Sequence, residues 1–288
     1  MSLESVYVTS GKIFQQVSML YQPGLLEQLR GIKDGEIVVV QGTYDHIEKL
    51  LPTIKMPFNL ISQQDMATNN GGRVMFVNCA AYDSVAKKTR DGIEQFVNDG
   101  GRLVTTDWSL GLVSSVFPGK FKKVKDSPDD VVEIQCPTDL GRKFVGLNYA
   151  QCHPKWWLEG ASHLYETGDG VMRIITSKEM QDKYGTATVA AGFAAGKGEA
   201  IHFISHLELQ RTHLRSKADK EGLDAFLEKM KVSKTADMDD AKVAELEAAY
   251  STLNTLAYLC LPVSLVNVSM KSVMVSPSKS AAKSKGLL

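Results

Sequence analysis

His206 and Glu208 close the apolar run "IHFISHLELQ" (residues 201–210), and side chains two residues apart share a face wherever the chain stays extended. A histidine beside a carboxylate can work as a general base whose tautomer the acid fixes, and such a pair needs a nucleophile to activate. The chain offers two: Cys79 at the end of "RVMFVNC" and Asp107 at the end of "RLVTTDW". The plainer reading makes His206 a hydrogen-bonded strand end, Glu208 a cap on the next element, and Cys79 a buried apolar thiol. His202 stands four residues before His206, too far along an extended segment to share a metal ion with it, so no metal site is expected.

Open α/β sheets take ligands at the C-terminal ends of their strands. Thr43, Tyr44, Asp45, Asn78, Trp108 and Ser109 all come after strand-like runs and are the candidate ligand-binding residues. Capping is the competing explanation for Asp and Thr at such places, with Asp45 as the N-cap of the next helix. "GTYDHIEK" lacks the glycine spacing of a nucleotide-binding loop, and no cofactor is expected. "CHPKWWLEG" sets Trp156 and Trp157 side by side: either one of them is exposed as a contact residue, or a folded loop buries both.

These residues need a scaffold that brings strand ends together. "EIVVVQG" (36–42) is a continuous β-branched run of the kind buried on both faces of a parallel sheet, and "FNLIS", "RVMFVNC" and "RLVTTDW" come after it. Between them, "YDHIEKLLPTIK" reads as a short helix bent by Pro52, and "DSVAKKTRDGIEQFVNDGG" as a helix stopped by Gly100-Gly101. "VVEIQCP" and "GVMRIITS" are strand-like, and "TATVAAGFAAGKGEAIHFIS" reads as two strands joined at Gly196 and Gly198. "RSKADKEGLDAFLEKMKVSKTADM" is expected to be a surface helix plus loop. "MDDAKVAELEAAYSTLNTLAYLCL" is a long helix, packed on the sheet or used in an oligomer. The alternation predicts a doubly wound, mostly parallel α/β sheet with extra C-terminal helices. Its expected extent is residues 1–265 as one domain, with a helical extension over about 211–260 and a disordered basic tail over 266–288.

The 288 residues carry 33 basic and 33 acidic side chains, so overall charge steers the chain toward neither nucleic acid nor anionic membrane. The lysines of the tail lack the interleaved aromatics of a single-strand binder, and nucleic acid is not an expected partner. Four cysteines without a C-x-x-C pair suit neither a disulfide scaffold nor a structural zinc site. The start lacks a leader-like apolar segment, and Pro262 interrupts the most apolar stretch, so a cytoplasmic chain without a membrane span is expected.

Three features, "FVNDGGRLVTTDW", the turn "AAGKGEA" and a strand ending in His206, resemble the class I glutamine amidotransferase-like superfamily over roughly residues 36–210, including its ThuA-like and non-catalytic members. In active members a cysteine in a G-x-C-x-G elbow after the fourth strand is the nucleophile, with a later histidine and glutamate as base and orienter. That resemblance implies His206 and Glu208 in the last two roles. Here the elbow reads "TTDWS", with Asp107 or Trp108 in place of the cysteine and neither glycine. The expectation is a pseudoenzyme that serves as an interaction or ligand-binding module, with a protein partner, a second copy of itself or a small molecule. The alternatives are a hydrolase that uses His206 and Glu208 with Cys79 or Asp107 as nucleophile, and a ThuA-like sugar or metabolite binder.

Overall fold

Ile37-Val38-Val39-Val40 is buried along its whole length, as a strand covered on both faces must be. The computed structural model describes residues 3–68, 71–146, 154–208, 223–236, 238, 243–262 and 265. Helices α1 (Leu3–Tyr21) and α2 (Pro23–Arg30) precede that strand, β1 (Ile37–Val40). Next come α3 (Ile47–Leu50), β2 (Asn59–Ile61), β3 (Val74–Val77), α4 (Lys87–Asn98), β4 (Arg102–Thr106) and α5 (Leu110–Val116). The middle holds β5 (Phe121–Asp126), β6 (Asp130–Glu133), α6 (Asp139–Val145), β7 (Lys155–Leu158) and β8 (His163–Thr167). The chain continues through β9 (Met172–Thr176), α7 (Lys178–Tyr184), β10 (Thr188–Ala195), β11 (Gly198–Phe203), α8 (Leu223–Met230) and α9 (Val243–Cys260).

A seven-stranded sheet runs in the order β2-β1-β3-β4-β11-β10-β9. Its first five strands are mutually parallel, and β10 joins β11 and β9 antiparallel. This is the doubly wound, mostly parallel sheet expected from the alternation. Chain direction away from β1 reverses between β1 and β3, so the carboxyl ends of β1, β3, β4 and β11 border one crevice. Two antiparallel pairs, β5 with β8 and β6 with β7, lie outside the main sheet.

Several local expectations take a different form. Pro52 tightens the end of α3 into a 3-10 turn over Leu51–Ile54. His46 holds the N-cap position of α3 and makes no side-chain cap bond, while Asp45 is fully buried and used elsewhere. Trp156 and Trp157 sit on β7 and both are buried, which decides between the two readings of that pair. Helix α8 buries Leu223, Phe226, Leu227 and Met230, so it is half core and not a surface helix. The tail after residue 265 and Cys152-His153 lie outside the described residues.

Helix α9 is apolar nearly all round because α1, α6 and α8 cover it. Its C-terminal carbonyls find a donor in the sheet. Arg102, at the start of β4, is 1% exposed and places its guanidinium on the carbonyls of Tyr258, Leu259, Leu261 and Pro262. Glu199 at the start of β11 balances the charge at 2.6 Å and also accepts the Leu265 N–H. The β10–β11 turn uses Gly196 at φ 55°, in the left-handed region. Gly198 has another reason: a Cβ there would overlap the carbonyls of Val97 and Gly101. Among the described residues, no helix is long and apolar enough to cross a membrane.

Candidate functional site

Four strand ends supply the site. After β1, Gly42 lets the chain turn against β3, since a Cβ there would stand 2.5 Å from Asn78 Cβ and 2.7 Å from the Cys79 carbonyl. Thr43 and Tyr44 then donate their backbone N–H groups to that carbonyl. Asp45 turns inward, accepting from the Cys79 backbone N–H at 2.5 Å and from Thr106 Oγ1 at 2.7 Å. Its carboxylate ties the ends of β3 and β4 together, and burial pushes its pKa up to about 6.

Asp107 comes directly after β4 and has φ 48°, the left-handed conformation that costs a non-glycine residue strain. The chain bends there into a 3-10 turn and α5, a strand-to-helix elbow that lifts the carboxylate into the crevice. His206, just beyond β11, stands with Nε2 3.3 Å from Asp107 Oδ2 and Nδ1 2.9 Å from Glu159 Oε2. Cys79 donates its thiol to the same Asp107 Oδ2 at 3.6 Å. Burial alone would lower the His206 pKa, but its contacts with Asp107, Cys79 and Glu159 more than offset this and the ring is held as imidazolium. Burial pushes the Cys79 thiol up to about 11, well away from a neutral-pH thiolate.

The sequence candidates therefore divide. His206, Asp107, Cys79, Tyr44 and Trp108 line one crevice of about 190 Å³, together with Glu159 and Gly160. Tyr44 and Trp108 form its rim, edge to face at 5.1 Å, and Trp108 stacks on His163 while donating Nε1–H to the Ala161 carbonyl. Asn78 and Ser109 lie outside this lining: Asn78 accepts from Ile47 N–H and donates to Glu48, and Ser109 donates to the Asn78 carbonyl. Thr43 is exposed and does not line the crevice. Glu208 is partly exposed, near enough for its charge to be felt with those of Asp45 and His206, and burial raises its pKa. The carboxylate on His206 Nδ1 is Glu159, from the end of β7. His202 faces another neighbourhood, bonded to Thr105 Oγ1 and packed on Tyr165 and Phe121.

Glu159 lies in "WWLEG", and nothing in its spacing marks it. It reaches the site because β7 pairs with β6 and because Ser205 Oγ, next to His206, accepts from Trp156 Nε1 and donates to the Trp157 carbonyl.

No family model matches the chain, and no curated relative matches it. Among similar solved structures is a glutamine amidotransferase from Methylobacillus flagellatus, 9% identical with a TM-score of 0.48 over 81% of this chain and 97% of that one. A glutamine amidotransferase from Thermotoga maritima is 12% identical with a TM-score of 0.45, over 78% and 97% of the two chains. A putative ThuA-like protein from Bacteroides uniformis is 11% identical with a TM-score of 0.42, over 59% and 80%.

Proposed function

We propose that the chain is a non-catalytic, amidotransferase-like domain that works as a ligand-binding module, its crevice taking a small ligand that brings positive charge or hydrogen-bond donors. The observation that supports this is the elbow residue. In the resemblance to amidotransferases the elbow after the fourth strand would carry the nucleophile; here the strained residue after β4 is Asp107, in ion-pair contact with His206. A base clamped as imidazolium between two carboxylates has no lone pair to offer, and a thiol with a pKa near 11 is not the attacking species at neutral pH. Among the described lining residues, Asp107 and Glu159 outnumber His206 in charge, and Tyr44 and Trp108 present aromatic surface at the mouth. Excess negative charge beneath aromatic faces favours a cationic group.

Methylammonium and acetate are matched in size and opposite in charge, which makes them the discriminating probes. The Trp108 indole N–H resonance should shift saturably with methylammonium and stay fixed with acetate, and Asp107→Asn should remove the response. Equal or stronger perturbation by acetate, or none by either ion, would overturn this reading.

A second reading has its own support: the strained backbone at Asp107 is the geometry that exposes a nucleophile, and Asp107 Oδ1 is buried without a hydrogen-bond partner. In that reading Asp107 attacks the acyl carbon of an ester, and the alcohol leaves with the proton of the His206 imidazolium. The neutral His206 then takes a proton from the water that hydrolyses the acyl-aspartate, releasing the acid and restoring the carboxylate.

A further inference from the structure

We infer that Cys79, Asp107 and His206 form a mononuclear zinc-type site whose fourth coordination position opens into the crevice. One ligand atom from each of the three side chains lies within 4.8 Å of the other two. The spacing suits a metal at their centre. Bond lengths of roughly 2.3 Å to sulfur and about 2.0–2.1 Å to nitrogen and oxygen give tetrahedral edges of roughly 3.3–3.6 Å. The observed separations are 3.3 Å from His206 Nε2 to Asp107 Oδ2 and 3.6 Å from Cys79 Sγ to the same oxygen.

A second observation points the same way. Asp107 Oδ1 is a buried polar atom without a hydrogen-bond partner, and its residue is 4% exposed. Buried polar atoms left in that condition cost free energy unless something absent from the protein chain engages them. The arrangement behind the histidine fits as well. Glu159 on Nδ1 directs Nε2 toward the other two ligands, the carboxylate–histidine pairing that orients metal-bound imidazoles. A sulfur, nitrogen and oxygen set with one open position matches the borderline-soft preference of Zn²⁺.

Binding balances in charge. The Cys79 thiol and the His206 imidazolium each release one proton to solvent, the ion accepts a thiolate, an imidazole and a carboxylate, and two positive charges replace two. The inference rests on the ligand-binding reading, because the ion itself would supply the positive charge that the crevice's two carboxylates favour. The expectation that this protein binds no metal came from the spacing of His202 and His206, and His202 takes no part here.

Co²⁺ added to chelator-treated protein tests it, with no substrate needed. One ion per chain is expected, with a thiolate-to-cobalt charge-transfer band that disappears in Cys79→Ser and persists in Cys136→Ser. Glu159→Gln should weaken binding by about 10–100-fold. Failure to retain Co²⁺, or an unchanged band in Cys79→Ser, would overturn the site. If Cys79→Ser does not fold, His206→Gln serves instead, and unchanged Co²⁺ affinity there would overturn it equally. The methylammonium titration on the same metal-free protein separates the two claims: its success beside a failed cobalt titration removes only the metal.

Discussion

Arg102→Met should cost about 3–5 kcal/mol of unfolding free energy, the range for removing one partner of a buried, hydrogen-bonded ion pair. Two effects combine. The substitution leaves Glu199 charged and fully buried opposite an apolar side chain. It also strips the donor from the Tyr258, Leu259, Leu261 and Pro262 carbonyls, where the C-terminal end of α9 has no intrahelical partners to offer. A double variant, Arg102→Met with Glu199→Leu, should recover part of the loss because no buried charge remains, yet it cannot restore the cap. Urea unfolding measures both. A single variant within about 1 kcal/mol of the parent would show that α9 does not depend on this anchor.

His202 should make the fold acid-sensitive. It is completely buried near the end of β11, and that burial, with the nearby charge of His163, lowers its pKa to about 3 against an ordinary value of 6.5. The unfolded chain therefore binds a proton that the folded chain refuses at any pH between those two values. Stability is fully present above pH 6.5 and declines as the pH falls toward 3, by about 1.4 kcal/mol per pH unit. Between pH 6.5 and about pH 5 the loss attributable to this residue is about 2 kcal/mol. His202→Phe keeps a ring among Phe121 and Tyr165 and should flatten that slope, whatever it does to stability at neutral pH. Parallel slopes for parent and variant would contradict the assignment.

The main sheet was legible for a physical reason. Parallel strands buried on both faces are written as unbroken apolar runs, so "IVVV" and "VMFV" declare themselves, and Gly100-Gly101 marks the end of α4. The strand ends that carry Cys79, Asp107 and His206 emerge from that reading, as does their convergence on one crevice. The details that decide chemistry were not legible. Asp107 adopts φ 48° without a flanking glycine to announce an elbow, and the Asp45 carboxylate that bonds the neighbouring Thr106 and the Cys79 backbone is distant in sequence. Asp45 looks like a cap locally and becomes a buried anchor only when β3 and β4 stand beside it. Glu159 reaches His206 through the β6–β7 pair and the bond between Trp156 and Ser205, contacts that no periodicity encodes. Helix α1 drew no reading of its own, yet it packs along α9 as part of the core.

Exposure to a diazo-ketone glutamine mimic, with peptide mapping of the product, tests most directly whether this crevice binds rather than attacks. A raised thiol pKa and an ion-paired elbow carboxylate lead to the expected result: no adduct on Cys79 and none on Asp107 at neutral pH. A stoichiometric thioether on Cys79 would restore the amidotransferase-type nucleophile, and an ester on Asp107 that disappears in His206→Gln would establish the aspartate as one. Either product would contradict a non-catalytic domain.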